Sequence, residues 1–374
     1  MRLRLALLFM MAVVFAPPRA ARACGGGVVT TPAQVASVGA NAQRIFISVS
    51  TGGVTDVVTQ IGVPATAADY GALIPVPSEP TLDPTPINSA ELAALDLFTQ
   101  PIITKQADDD GCGCSGPGGG SDKGGNEGIP GGAQVSAPVT IGPVTAVTLT
   151  ADTGDAVNAW LTQNGFAIPA ASQAIVNAYA GTGRYFIALK RSNTAATGGP
   201  TSVGLHFTLT GDERGLPLRF ISIGAAASVG FTVFVVADAA VAPSAPFAAL
   251  TVDDLDLIAL RTTGYSGAVS AAVAQHGNHA FVLEGVWSSG ALANAQSPSL
   301  KAFIASTQIL TRLSSVVPAA GLDTDVVFDQ PFSDPVPRVR VVEQVAAPGY
   351  GPGFGHGFGL LAIAAVGFRR RRRR

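Results

Sequence analysis

RIFISVSTGGVTDVVTQI, residues 44–61, is the stretch on which the fold turns. Ile45, Ile47 and Val49 alternate with their neighbours, Gly52-Gly53 supplies a turn, and residues 54–61 return. Period-two alternation before a Gly-Gly pair, with a second strand returning after it, predicts an antiparallel hairpin. Working outward, residues 70–76 read as a more buried strand closed by Pro75 and Pro77, and a proline-rich stretch follows at 77–86. Asn88 with Glu91 three positions later has the form of a capping box, ahead of a helix that carries Leu92, Leu95 and Phe98 on one face and stops at Pro101.

Beyond the centre, residues 144–149 read as a strand, and Asp152 or Thr153 then caps a helix with Ala156, Val157, Trp160 and Leu161 on one face. Asn164-Gly165 ends that helix. A second short helix turns Ile175, Val176 and Tyr179 inward and ends at Gly181. Strands follow at 185–189, 203–209 and 231–236, with a turn at 211–215; another strand lies at 280–286, between helical patterns at 253–260 and 300–313. Strands and helices interleave without a strict βαβ repeat. The expected class is α+β, with mixed strands and short helices in one large or two packed lobes.

Composition divides the chain further. Residues 1–23 show a basic start at Arg2 and Arg4, an apolar run too short to cross a bilayer, and the small residues of a cleavage site, which is the order of a signal peptide. Cleavage between Ala23 and Cys24 is expected, with an uncleaved anchor or lipidation of Cys24 as alternatives. Residues 24–105 make an N-terminal β-rich lobe, 106–134 a Gly-rich linker with a Cys-x-Cys pair, and 135–345 a C-terminal α+β lobe. Residues 346–374 hold a Gly-rich spacer, an apolar segment, and Arg369, Arg370, Arg371, Arg372, Arg373 and Arg374 as a stop-transfer end.

Charged residues are 13% of the chain and the net charge is -2 even with those arginines counted, so the basic surface that phosphate neutralisation requires is missing and nucleic acid is not expected as a partner. Three cysteines, Cys24, Cys112 and Cys114, give an odd number, so at least one is free, lipidated or paired between chains. A bridge from Cys24 to Cys112 or Cys114 would staple the mature N-terminus to the linker, and a reactive Cys112/Cys114 pair would make a thiol-redox protein. No Gly-Lys-Ser/Thr ending follows the linker glycines.

Catalytic side chains are few. The four histidines are His206, His276, His279 and His356. His206 falls on the polar face of its strand and reads as a surface residue. His276 and His279 are the one close pair, a weak metal candidate without an evident acidic ligand beside it. Asp152-Thr-Gly-Asp155 reads as a helix cap. The acidic groups Asp253, Asp254, Asp256 and Asp323, Asp325, Asp329 lack EF-hand spacing and read as solvated helix starts. No cofactor is expected.

Five segments together resemble a bacterial family known as domain of unknown function 2330 (DUF2330): Cys24-Gly-Gly26, Tyr70-Gly-Ala-Leu-Ile-Pro-Val-Pro77, Trp160-Leu-Thr-Gln-Asn-Gly165, Gly111-Cys-Gly-Cys114 and Leu310-Thr-Arg-Leu313. The tail resembles C-terminal sorting signals of the MYXO-CTERM or PEP-CTERM kind, though it lacks the cysteine usual in the former. The resemblance implies an exported cell-envelope protein of a Gram-negative bacterium, placed in the periplasm, outer membrane or cell surface. Its implied partners are the secretion machinery and a sorting peptidase, with membrane contact through the tail. It assigns no activity. The expected function is non-enzymatic binding or structure in the envelope; the alternatives are an envelope hydrolase or metal-dependent enzyme using His276 and His279, or the thiol-redox protein.

Overall fold

In a computed structural model the chain is described over residues 26–28, 40–63, 71–105, 134–166, 168, 170–191, 201–336 and 338–342. The stretch 44–61 forms the expected hairpin. Strand β1 (Ala40–Val49) pairs antiparallel with β2 (Val54–Val63), Ile45 opposite Thr59 and Ile47 opposite Val57. Gly53 takes the turn at φ +71°, a left-handed conformation that glycine enters at little cost.

Strand β3 (Gly71–Val76) and the short β4 (Thr81–Leu82) precede helix α1 (Ser89–Thr99). Asn88 caps α1 by accepting from the Ala90 N–H at 2.9 Å. Glu91 does not close a capping box. Its carboxylate instead accepts from the N–H and hydroxyl of Ser299, tying α1 to the turn of helix at Pro298–Lys301. Strand β5 (Val144–Thr150) leads into α2 (Gly154–Gln163), where Thr153, not Asp152, supplies the cap. Helix α3 (Gln173–Ala180) buries Val176 and Tyr179 as expected. Strands β6 (Tyr185–Arg191), β7 (Thr201–Thr210), β8 (Ala225–Ala237) and β9 (Ala248–Thr251) follow, then helices α4 (Leu257–Thr262) and α5 (Gly264–Gln275), and finally β10 (Ala280–Ser288) and β11 (Ile309–Pro318).

Most of the second helical pattern, at 300–313, is wrong. Only Pro298–Lys301 is helical, and Leu310 to Leu313 lie in β11, which pairs antiparallel with both β8 and β10. Two flanking ladders outweigh the local helical spacing of its leucines. Helix α5 was not foreseen, because its run of Gly, Ser and Ala blurs the 3.6-residue period.

The larger sheet runs β9-β10-β11-β8-β1-β2-β7-β4, and the smaller has β6 between β3 and β5. Strand β1 pairs parallel with β8, Ile45 opposite Val233. Both sheets therefore draw strands from the segments 24–105 and 135–345, which are not separate bodies in space. The hydrophobic reason is that neither segment covers itself: β1 and β2 bury apolar residues on both faces, Ile45, Ile47 and Ile61 on one and Phe46 and Val58 on the other, and each face needs a partner from later in the chain.

One main core lies between the sheets, where Ile45, Ile47, Leu205 and Val233 of the larger meet Val76, Ala146 and Ile187 of the smaller; Val269 and Val273 of α5 join the same core. The far side of the smaller sheet packs Leu73 and Phe186 against Trp160 of α2 and Val176 of α3. The far side of the larger sheet packs Phe46, Phe234 and Leu310 under Leu92 and Leu95 of α1 and Leu300. Each fully buried Phe contributes on the order of 2 kcal/mol. The outcome is layered: helix, large sheet, small sheet, helices. The α+β class holds.

Candidate functional site

A cavity of about 190 Å³ lies within the core between the two sheets. Its floor is the inner face of the large sheet, where alternation on β1 puts Gln43, Ile45 and Ile47 side by side, with Thr59 of β2 and Phe207 of β7 beside them. Ile74 and Val76 of β3 form the opposite wall. The chain after β7, residues 212–217, makes the rim together with Arg184. Asp212 there is half exposed, while Glu213 and Arg214 are partly buried, so this end meets solvent.

Gln43 is the anomaly. It is 1% exposed, and neither its Oε1 nor its Nε2 has a hydrogen-bond partner among the described residues. An orphaned buried amide costs about 1 to 3 kcal/mol, and native proteins rarely carry one without a reason. The apolar lining around it can accommodate a molecule, and the amide offers that molecule one acceptor and two donors. A cavity of roughly this size holds a compact ligand on the order of ten heavy atoms, judged by the 150 Å³ cavity that takes up benzene.

The rim is charged and mostly paired. Arg214 forks onto Asp212 through Nε and Nη2. Asp325 accepts from the Tyr179 hydroxyl at 2.5 and 2.6 Å and from the Arg219 N–H at 3.1 Å. Burial and the Asp325 carboxylate together push the Tyr179 phenol up. Glu213 is raised by burial, against the pull of Arg184. Among the described residues Arg184 makes no ion pair; its guanidinium stands 5.3 Å from the centre of the Tyr179 ring.

The outer face of the large sheet carries a different kind of polar group. Glu284, fully buried on β10, accepts from Arg312, Ser314 and the Tyr265 hydroxyl. Arg312 also pairs with Asp96 at 2.7 Å, donates to the Asp96 carbonyl and Thr99 hydroxyl, and faces the Phe234 ring. Asp96 in turn takes Arg44 at 2.7 Å, and Arg44 reaches Gln60. Every charge here has a partner, which marks a structural network.

His206 is a correction. It is 6% exposed rather than on the surface, held between Asp56 at 3.0 Å and Asp83 at 3.0 Å with Phe303 across its ring. Gly204 on the same strand admits the 83–88 chain alongside, since a Cβ there would stand 2.8 Å from the Ile87 carbonyl oxygen. Burial alone would lower the His206 pKa, but the hydrogen bonds and charges of the two aspartates outweigh it and hold the imidazole above its ordinary value.

The His276 and His279 pair does not converge. His276 Nδ1 bonds the Ala272 carbonyl at 2.9 Å, while His279 Nε2 pairs with Asp323 at 2.7 Å, a contact that holds the Asp323 carboxyl below its usual range. Among the described residues no group of three or more His, Cys, Asp or Glu could hold a metal. The acidic groups serve as helix starts and anchors: Asp254 closes a capping box with Thr251, and Asp256 caps α4. Asp329 binds Ser244. Ala23, Cys24, Cys112, Cys114, His356 and the arginines at 369–374 lie outside the described residues.

Gln43 was missed in the sequence, although one signal was there: a polar residue in step with Ile45 and Ile47 on the apolar side of a strand. Arg184 gave no signal, because its place at the rim depends on the pairing of Tyr185 with Val76.

Among the described residues no helix is long and apolar enough to cross a membrane. The model of a family described as an uncharacterized protein conserved in bacteria (DUF2330) matches residues 18–320. No curated protein and no solved structure matches the chain.

Proposed function

The chain belongs to the DUF2330 family of bacterial proteins, and on that premise we propose that it is a non-enzymatic binding protein of the cell envelope that takes a small, mainly apolar molecule into the cavity between its sheets. The observation that carries this reading is Gln43, whose two side-chain polar atoms have no partner among the described residues in a cavity with a mainly apolar floor. A ligand carrying one neutral hydrogen-bonding group satisfies that amide and recovers the cost of its burial. The enzyme alternatives gain nothing from the geometry, since the two histidines take separate partners.

Export rests on the leader and tail patterns. Secretion delivers the chain, cleavage precedes Cys24, and a sorting peptidase acts at the Gly-rich spacer near 351–359. Intact-mass measurement of the envelope form should show both termini shortened; a full-length mass would argue against processing.

Binding is tested by thermal unfolding with benzamide and hexanamide, each small enough for the cavity. Both should raise Tm in the native chain, because a ligand held only by the folded state stabilises it by mass action. The effect should vanish in Ile47→Phe, which fills the floor. Equal shifts in both proteins, or none in the native one, would sink the reading.

A further inference from the structure

The two ends of the cavity differ in chemistry, and that difference selects a class of ligand. Gln43 and Ile47 are four residues apart on β1, about 13 Å at the usual strand rise. The strands fix which end is which. Strand β7 runs alongside β2 with Leu205 opposite Thr59 and Phe207 opposite Val57, so the chain beyond Thr210 emerges past the Ile47 level, away from Gln43. Ser78 Oγ reaches the Thr210 carbonyl at 3.4 Å, and Tyr185 pairs with Val76, which brings Pro77 and Arg184 to this same end. A neutral amide thus closes one end and a guanidinium stands at the other.

Among the described residues two of the rim charges, Arg184 and Glu213, form no ion pair, and the others are committed. Asp212 is held by Arg214, and Asp325 by Tyr179 and the Arg219 N–H. Glu213 lies near enough to Arg184 to feel its charge, but among the described residues the two form no ion pair. Arg184 is left with the Tyr179 ring centre 5.3 Å from its guanidinium and, among the described residues, no ion-pair partner for its N–H donors. A guanidinium stacked on an aromatic ring keeps its in-plane donors free for a carboxylate.

Resting on the cavity reading above, we propose that the ligand is a small monocarboxylate whose carboxylate is held by Arg184 at the rim and whose far end carries a neutral amide or similar donor-acceptor group that pairs with Gln43. The apolar middle of the ligand lies along Ile45, Ile47, Ile74 and Phe207. The anion stays at the solvent end, where its desolvation is small, and only the neutral group goes deep.

Calorimetric titration of the full chain with adipic acid monoamide, its methyl ester and hexanoate tests this. The free acid should bind at least about tenfold more tightly than the ester, the size of one charge-assisted hydrogen bond. Arg184→Gln should erase that preference while leaving ester affinity unchanged. Gln43→Leu should weaken the monoamide and leave hexanoate unaffected. Equal affinity for acid and ester in the native chain overturns the rim assignment yet keeps the cavity reading. Failure of all three probes, where benzamide and hexanamide still raise Tm, overturns the proposed ligand class; failure of those amides as well removes the cavity reading itself.

Discussion

Strand β1 presents two faces to two regions of the molecule, and they treat polar groups in opposite ways. On the outer face Arg44 binds Asp96 and Gln60, and Ser48 donates to the Phe303 carbonyl. On the inner face, one residue earlier, the Gln43 amide has no hydrogen-bond partner among the described residues. The sheet has the same strands and similar burial on both sides. What differs is the degree of matching: among the described residues the outer side leaves only Arg338 Nε, above Phe98 and Trp287, without a partner, whereas the inner face orphans a whole amide. Matched groups on the outer face join α1, β10 and β11 into one unit, whereas the unmatched amide weakens the fold unless something outside the chain completes it.

Breaking the outer face should have the largest effect. Arg312→Ala leaves Glu284 buried without its cation and Asp96 with Arg44 alone, and chemical denaturation should show a loss of about 3 to 5 kcal/mol. A loss below about 1 kcal/mol would mean that water already reaches the network, and the contrast between the faces would be smaller than described.

Changing the inner face should give the opposite sign. Gln43→Leu replaces an orphaned amide with an apolar side chain of similar volume, so the ligand-free protein should gain about 1 to 3 kcal/mol. Were the variant less stable than the native chain, the amide would have a partner after all.

The smallest effect separates the outer face by pH. His206 has its folded pKa raised, so its pairing with Asp56 and Asp83 contributes fully below the ordinary imidazole value, near 6.5, and is lost as pH rises through the raised folded value. Asp56→Asn should therefore cost roughly 1 kcal/mol at pH 6 and less at pH 9. Denaturant midpoints at the two values measure this; a cost that stays constant would show that the imidazole is not charged in the pairing.

The same division explains what could be read from the chain beforehand. The hairpin at 44–61 was legible because its signal is local, an alternating strand followed by a turn glycine and a returning strand. His206 was misread because alternation was taken to mean one wet face, while helix α1 and the 297–308 chain cover that side. Leu310-Thr-Arg-Leu313 was misread as helix because leucines three apart share a helical face; in β11 they point to opposite faces, Leu310 to the outer core and Leu313 to the inner, and the ladders to β8 and β10 decide. The cavity depends on which strands meet across two sheets, and no window of sequence holds that.

The parallel pairing of β1 with β8 also sets an order of events. Gln43 meets Phe231, and Val233 meets Leu313, so the hairpin at the start of the chain is sealed only after most of the polypeptide is present. Contacts this distant in sequence slow folding and delay the cooperative step. Truncation anywhere before β8 would therefore leave one edge of the first hairpin without its ladder.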